Sequence, residues 1–302
     1  MRSRGYRIAP LVAVLAIVAL VLALAGDWPS NSDESDTTEA PASRSLVDSD
    51  NRERTVVWAV GDGPDGDEDA RRVAEMIGRA QVDRLLYLGD VYLNGTAEEF
   101  ARNYDAIYGR LAERTAPTPG NHEWHNHVEG YDPYWRRKLG RKVPPYYTFR
   151  TGGWQLISLN SETEHGDRSP QVSWLRTSVE GGGTCRLAFW HRPRYSAGDH
   201  HGDQPDVQAF WDALKGRAAI VVNGHEHDMQ RFKPRHGITQ FISGAGGHGL
   251  YDVDEDRRDL AFGNDNRFGA LRLELSRGRA SYRFMTVQGE TLDSGNVSCK
   301  PG

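Results

Sequence analysis

From Thr55 onward, short unbroken apolar runs alternate with stretches whose apolar residues recur at helical spacing. "TVVWAV" (55–60) reads as a buried strand, since a continuous apolar run of that length suits a strand covered on both faces, and it ends at Gly61-Asp62. In "EDARRVAEMIGRA" (68–80), Ala70, Val73, Ala74 and Ile77 define one face of a helix. "RLLYLGD" (84–90) is the next strand and again ends in Gly-Asp. The stretch 96–111 predicts a helix opened by a capping box, with Thr96 at the N-cap and Glu99 three residues on. "PPYYTFRTGGWQLISLN" predicts a hairpin turning at Gly152-Gly153. Further strands are expected at 185–191, 218–227 and 239–247, helices at 170–180 and 205–216, and a closing hairpin at 269–287 around Arg277-Gly278. Strand and helix in alternation argue for an α/β fold, and the hairpins make its sheets mixed. No internal repeat is visible.

Before Thr55 the pattern changes twice. Residues 1–25 carry Arg2, Arg4 and Arg7, then the apolar run Leu11–Ala25, with Ala23-Leu24-Ala25 as a small-residue cleavage site. They read as a signal peptide. The alternative is an N-terminal membrane anchor, because the apolar stretch counted from residue 8 to 25 is just long enough to span a bilayer. Either way the remainder is expected outside the cytoplasm, secreted or anchored, since the arginines stay inside. Residues 26–54 are rich in Ser, Asp, Glu and Thr with almost no apolar side chain, which predicts a disordered acidic linker. Residues 55–302 are then expected to form the folded domain.

Composition narrows the function. The formal net charge is −5 and no basic stripe is present, so binding to nucleic acid through phosphate neutralisation is disfavoured. Only two cysteines occur, Cys185 and Cys299, and in an exported chain they are expected to pair as a disulfide. Neither lies beside a histidine cluster, which argues against a cysteine nucleophile.

Five segments place polar residues at or just beyond the end of a predicted strand: Asp62, Asp90, Asn121-His122, His191 and His225/His227. In open α/β sheets, ligands bind outside the carboxyl ends of the strands, so these five ends can converge on one site. Carboxylate, amide oxygen and imidazole together suit Zn, Mn, Fe or Co, and the absence of thiolate ligands excludes a structural zinc of the Cys type. The donors outnumber the needs of one tetrahedral ion. Two ions sharing a carboxylate are therefore expected, the arrangement that clamps attacking and leaving oxygens of a phosphoryl centre.

The order "GDG" (61–63), "GDVY" (89–92), "GNHE" (120–123), "WH" (190–191) and "GHEH" (224–227) resembles the calcineurin-like metallophosphoesterase superfamily, and within it the purple-acid-phosphatase-like branch and its bacterial secreted phosphatases. The resemblance spans Val56 to about Cys299. It implies a four-layer αββα sandwich with mixed β-sheets. It implies one metal held by Asp62, Asp90 and His227 and a second by Asp90, Asn121, His191 and His225, with Fe, Mn or Zn as the ions. It further implies hydrolysis of a small phosphate monoester by a metal-bridging hydroxide, with His122 over the leaving-group oxygen and Glu123 holding His122 from behind. His200 or His201 is expected near the substrate phosphate. A phosphodiesterase or nucleotidase on the same site, or an inactive binding protein of the same fold, are the alternatives.

This chain departs from the family's pattern at three places. Pro64 replaces the His found two residues after the first Asp in the broader superfamily. Leu93 stands where the branch carries a ligand Tyr, and Tyr92 falls one residue early. Val91 follows the bridging Asp where a polar residue, often Asn, is usual. Tyr92 is kept as a candidate ligand on condition that its loop adjusts. His125 and His127 do not match the motif, and His165, His236 and His248 read as surface or loop histidines. The Gly-rich "SGAGGHG" (243–249) lacks the Lys-Ser/Thr of a phosphate-binding loop and reads as backbone passing close to the site.

Overall fold

The computed structural model describes residues 50–299. Its strands run β1 Arg54–Val60, β2 Arg84–Tyr87, β3 Thr115–Pro117, β4 Tyr147–Thr151, β5 Trp154–Ser158, β6 Cys185–Phe189, β7 Ile220–Asn223, β8 Met229–Phe232, β9 Thr239–Ser243, β10 Leu260–Asn264, β11 Gly269–Ser276, β12 Arg279–Thr286 and β13 Thr291–Ser298. They form two mixed sheets, one in the order β13-β12-β11-β1-β2-β3 and one in the order β10-β8-β9-β7-β6-β5-β4. Within the first sheet β1, β2 and β3 are parallel and β11 runs antiparallel to β1. Within the second, β5, β6, β7 and β9 are parallel. The fold is thus an α/β sandwich of mixed sheets flanked by helices, as the resemblance implied.

Two apolar clusters hold the layers together. One joins both sheets and the helical segments of the first side, from Val57, Leu86 and Leu271 to Phe241, Tyr104 and Trp135. The other packs Trp174 and Leu175 of helix Pro170–Ser178 and Phe210, Trp211 and Leu214 of helix Gln208–Leu214 onto Ile157, Ala188 and Val221. The helix Glu68–Arg79 buries Ala70, Val73, Ala74 and Ile77, the face its sequence spacing marks. The Thr96–Glu99 capping box is present, but the helix it opens does not stay regular. It passes through a π-helical turn at Phe100–Asp105 and ends as a 3-10 turn at Gly109–Arg114.

Cys185 and Cys299 are joined in a disulfide, with Cα atoms 5.6 Å apart. The bond ties the end of β13 to the start of β6 across a separation of 114 residues, a closure that contributes about 4–5 kcal/mol in the chain-entropy account. At the other margin of the described chain, the Asp50 carboxylate pairs with Arg84 at 3.0 Å and accepts from the Thr151 hydroxyl at 2.9 Å.

The transmembrane alternative is corrected. Among the described residues no helix is long and apolar enough to cross a membrane. Residues 8–25, on which that expectation fell, and the linker up to residue 49 lie outside the described residues.

Candidate metal centre

The carboxyl ends of the parallel strands meet where the sequence blocks predicted. Asp62 follows β1, Asp90 follows β2, Asn121 opens a short helix after β3, His191 follows β6, and His225 and His227 follow β7. Asp62, Asp90, His191, His225 and His227 are all buried. Asp62, Asp90 and His225 sit at φ of +60°, +66° and +73°, three of the four non-glycine residues in the left-handed region among those described. Such backbone is unfavourable for a side chain other than glycine and gathers at functional sites. Here it turns each side chain sharply inward at the end of its strand.

The preceding glycines make that crowding possible. A Cβ on Gly120 would lie 2.0 Å from Asp90 Oδ1, and one on Gly224 would lie 2.5 Å from Asp62 Oδ2. The Gly-Asp, Gly-Asn and Gly-His pairs of the sequence are thus steric requirements for bringing the side chains together.

Two donor groups result, and they share Asp90. In the first, the Tyr92 hydroxyl lies 2.8 Å from His227 Nε2, 3.3 Å from Asp90 Oδ2 and 3.5 Å from Asp62 Oδ1. In the second, His191 Nε2 lies 3.0 Å from Asn121 Oδ1, 3.0 Å from His225 Nδ1 and 3.4 Å from Asp90 Oδ2. Atoms of Asp90, His191 and His225 lie close enough to coordinate one metal ion. Tyr92 therefore reaches the cluster although it stands one residue early in the sequence.

Backbone carbonyls fix which imidazole nitrogen faces inward. His191 Nδ1 donates to Leu88 O at 2.8 Å, and His227 Nδ1 donates to Gly249 O at 2.7 Å. Each ring thereby carries its proton at the outer nitrogen and presents Nε2 to the cluster, as metal-binding histidines do. His225 Nε2 is buried without a partner.

The electrostatics are those of a site that wants a cation. Burial, with the Asp90 and Glu123 charges, holds the Asp62 carboxyl well above the usual carboxylate range, against a lowering by His191. Burial would raise Asp90 too, but the charge and hydrogen bond of His191 outweigh it and hold Asp90 below that range. Burial alone would lower His191; the Asp90 charge and hydrogen bond push it up to about 10. Burial and the His191 charge hold His225 far below the usual imidazole value. Buried carboxylates beside these imidazoles leave negative charge that a cation would balance, and ligands deprotonate to bind one.

Around this centre the other expected residues divide. His122 is half-buried; its Nδ1 donates to Leu93 O at 2.7 Å, and its Nε2 lies 3.9 Å from Asp90 Oδ2. Glu123 does not hold His122. Its carboxylate accepts from the Asp90 and Val91 amides at 3.0 and 3.3 Å, because the next residue along a helix points about 100° away. Burial and the Asp90 charge push it up to about 8. His201 stacks on His225 with centroids 3.9 Å apart, and His200 stacks on Tyr251 at 4.2 Å. His125 is exposed, and His127 stacks on Trp124 at 4.1 Å, away from the cluster.

Two residues at the site were missed in the sequence. His248, read as a loop histidine, stacks on Tyr92 at 4.0 Å and its Nδ1 contacts Asp65 Oδ2 at 2.6 Å. Tyr251 stacks on His227 at 3.9 Å. The signal was the glycine run 243–249: a Cβ on Gly244 would fall 2.8 Å from Asp62 Oδ2, so this backbone does pass against the site and carries both residues to it.

Comparison with known proteins bears on the same blocks. The family model for calcineurin-like phosphoesterases matches residues 21–229, more than half of the chain. The chain belongs to this family. Among family relatives it is similar to a probable purple acid phosphatase 20 of Arabidopsis thaliana, 25% identical over 171 residues, covering 47% of this chain and 40% of that protein. The chain thus spans less than half the length of that curated relative. The fold is similar to that of purple acid phosphatase PPD1 from yellow lupin (TM-score 0.66, 16% identity, 85% of this chain and 55% of that one). It is similar as well to GAP50, the anchor in the inner membrane complex of Plasmodium (0.68, 14%, 82% and 90%), and to a dimetal phosphatase from Danio rerio (0.56, 12%, 82% and 99%). Within the family the purple-acid-phosphatase-like branch is the one the chain resembles, and its strand ends form a metal-binding phosphoesterase-fold active site.

Proposed function

We propose that the chain is an exported hydrolase of phosphate monoesters that uses two metal ions. The observation that carries this reading is the pair of donor groups meeting at Asp90. Asp62, Asp90, Tyr92 and His227 would hold one ion, and Asp90, Asn121, His191 and His225 the other. The donors fit: carboxylates, a phenol, an amide oxygen and inward-facing imidazole nitrogens, with no thiolate, suit iron, manganese or zinc. When bound, such ions supply Lewis acidity toward a phosphoryl oxygen and acidify water near neutrality.

The chain's own groups do the rest. The Leu93 carbonyl accepts a hydrogen bond from His122 Nδ1 and fixes its ring, which leaves Nε2 to offer a proton to a leaving-group oxygen. The Asp90 Oδ1 acceptor binds the His122 amide at 3.0 Å and so ties that ring's backbone to the same carboxylate. Glu123, beneath, holds the Asp90 amide and keeps the strand end in its turned conformation. His201, stacked on His225, and His200, stacked on Tyr251, would face the phosphate. The Cys185–Cys299 disulfide suits an oxidising compartment.

The test is turnover on the purified full chain after loading with iron, manganese or zinc. Phosphate should be released from p-nitrophenyl phosphate at least about 10-fold more efficiently (kcat/KM) than p-nitrophenol from the bis-ester, a difference of ~1.4 kcal/mol in barrier. Preference for the bis-ester would make the site a phosphodiesterase. Turnover of neither would remove the hydrolase reading.

A further inference from the structure

Glu226 lies between His225 and His227 and is fully buried, yet its carboxylate takes no part in the metal cluster. It turns instead toward the loop 196–202. Glu226 Oε1 accepts from the Gly202 amide at 2.6 Å and from the Ser196 hydroxyl at 2.9 Å. The Ser196 oxygen in turn accepts from the Gly198 amide at 2.9 Å. The loop is packed so tightly on the carboxylate that a Cβ on Gly198 would fall 2.4 Å from Glu226 Oε2. Beside it, Gln230 Oε1 accepts from the Ala197 amide at 2.7 Å, and Gln230 Nε2 donates to the buried Asp228 at 2.7 Å.

This loop carries the two exposed histidines to the site. Its far side joins the segment that bears Tyr251, through the Gly198–Val253 bridge and the Asp199 N–H to Asp252 O bond at 3.0 Å. The result is His201 stacked on His225 and His200 stacked on Tyr251. The Glu226 carboxylate supplies the acceptor for the Gly202 amide, one residue past His201. A carboxylate accepting several donors in a buried setting makes bonds stronger than neutral ones, and the rigidity is passed to the loop.

We propose that Glu226 is a positioning residue: its buried carboxylate latches the 196–202 loop and so holds His201 over His225 at the substrate side of the centre. The kinetic part of this rests on the phosphomonoesterase reading above; the structural part does not. The assignment puts Glu226 in substrate affinity, apart from the metal ligands on either side of it.

The experiment compares Glu226→Ala, Glu226→Gln and Gly198→Ala in the full metal-loaded chain, by p-nitrophenyl phosphate kinetics, metal content and amide hydrogen exchange at Gly202. Glu226→Ala should raise KM on the order of 10-fold and speed Gly202 exchange on the order of 10-fold or more, as expected for loss of a charge-assisted bond. Its kcat should change far less, and its metal content should equal that of the unaltered chain. Glu226→Gln keeps an acceptor and should recover most of both losses. Gly198→Ala, which pushes the loop off the same carboxylate from the other side, should reproduce the KM rise and serves if Glu226→Ala does not fold. Unchanged Gly202 exchange would overturn the latch. So would a fall in kcat and metal content with KM unaltered, since Glu226 would then act through His225 and His227. If the unaltered chain turns over no phosphate ester, the hydrolase reading falls and Gly202 exchange alone decides the latch.

Discussion

Asp90→Ala is expected to strip both metals from the chain and to lower phosphate-ester turnover by roughly 10³-fold or more, the scale of several kcal/mol that metal ions supply to phosphoryl chemistry. The expectation follows from one Asp90 oxygen lying near donor atoms of both groups: Oδ2 lies 3.3 Å from the Tyr92 hydroxyl and 3.4 Å from His191 Nε2. Removing any other donor leaves one of the two groups whole, whereas losing Asp90 takes a donor from both. The carboxylate also fixes neighbours, since Oδ1 accepts from the His122 amide. Asp90→Asn separates the two duties, because it keeps an acceptor for that amide and removes the charge. Elemental analysis of both variants should find no stoichiometric metal, with secondary structure retained by circular dichroism. Two ions per chain in Asp90→Ala would refute the shared-ligand assignment.

His122→Ala is the second large effect, with the opposite signature. Its Nδ1 is spent on the Leu93 carbonyl, and its Nε2 stays 3.9 Å from Asp90 Oδ2, so neither nitrogen is needed to hold an ion. Metal content should be unchanged. Turnover should fall ~10²–10⁴-fold, the usual worth of a positioned general acid. The loss should be larger for an alkyl phosphate than for p-nitrophenyl phosphate, whose leaving group barely needs a proton. Equal losses on both substrates would assign His122 to charge stabilisation, and no loss would remove it from the mechanism.

Much of this site was written in the chain. Five polar blocks at strand ends, each introduced by Gly or by the last apolar residues of a strand, were enough to place Asp62, Asp90, Asn121, His191, His225 and His227 at one edge of an α/β sandwich. The hairpins at Gly152-Gly153 and at Gly278 were equally plain, because positive φ at those positions (+57°, +75° and +80°) selects glycine. What the pattern does not carry is direction. Nothing in "GNHE" says that Glu123 points to the Asp90 amide and not to His122; that is set by helical rotation and by the Gly95 backbone packed against it. Counting positions after Asp90 put Tyr92 out of register, whereas the hydroxyl reaches because a long side chain can span what the backbone does not. His248 and Tyr251 lie in a loop with no periodicity, and they come to the centre only through backbone packing against Asp62 and His227. The weak strands β8, β10 and β13 went unread for a similar reason. β13 (TLDSGNVS) has little apolar pattern and is held by its ladder to β12.

The claim on which the account turns is that two ions bind, with Asp90 between them. Metal content per chain of the purified full-length protein, measured by elemental analysis after reconstitution with iron, manganese and zinc, addresses it most directly. Two ions per chain are predicted, and iron as one of them should bring a visible phenolate band that Tyr92→Phe abolishes. One ion or none under every condition would contradict the two-metal centre and leave the cluster of Asp90, His191 and His225 as a single-metal site.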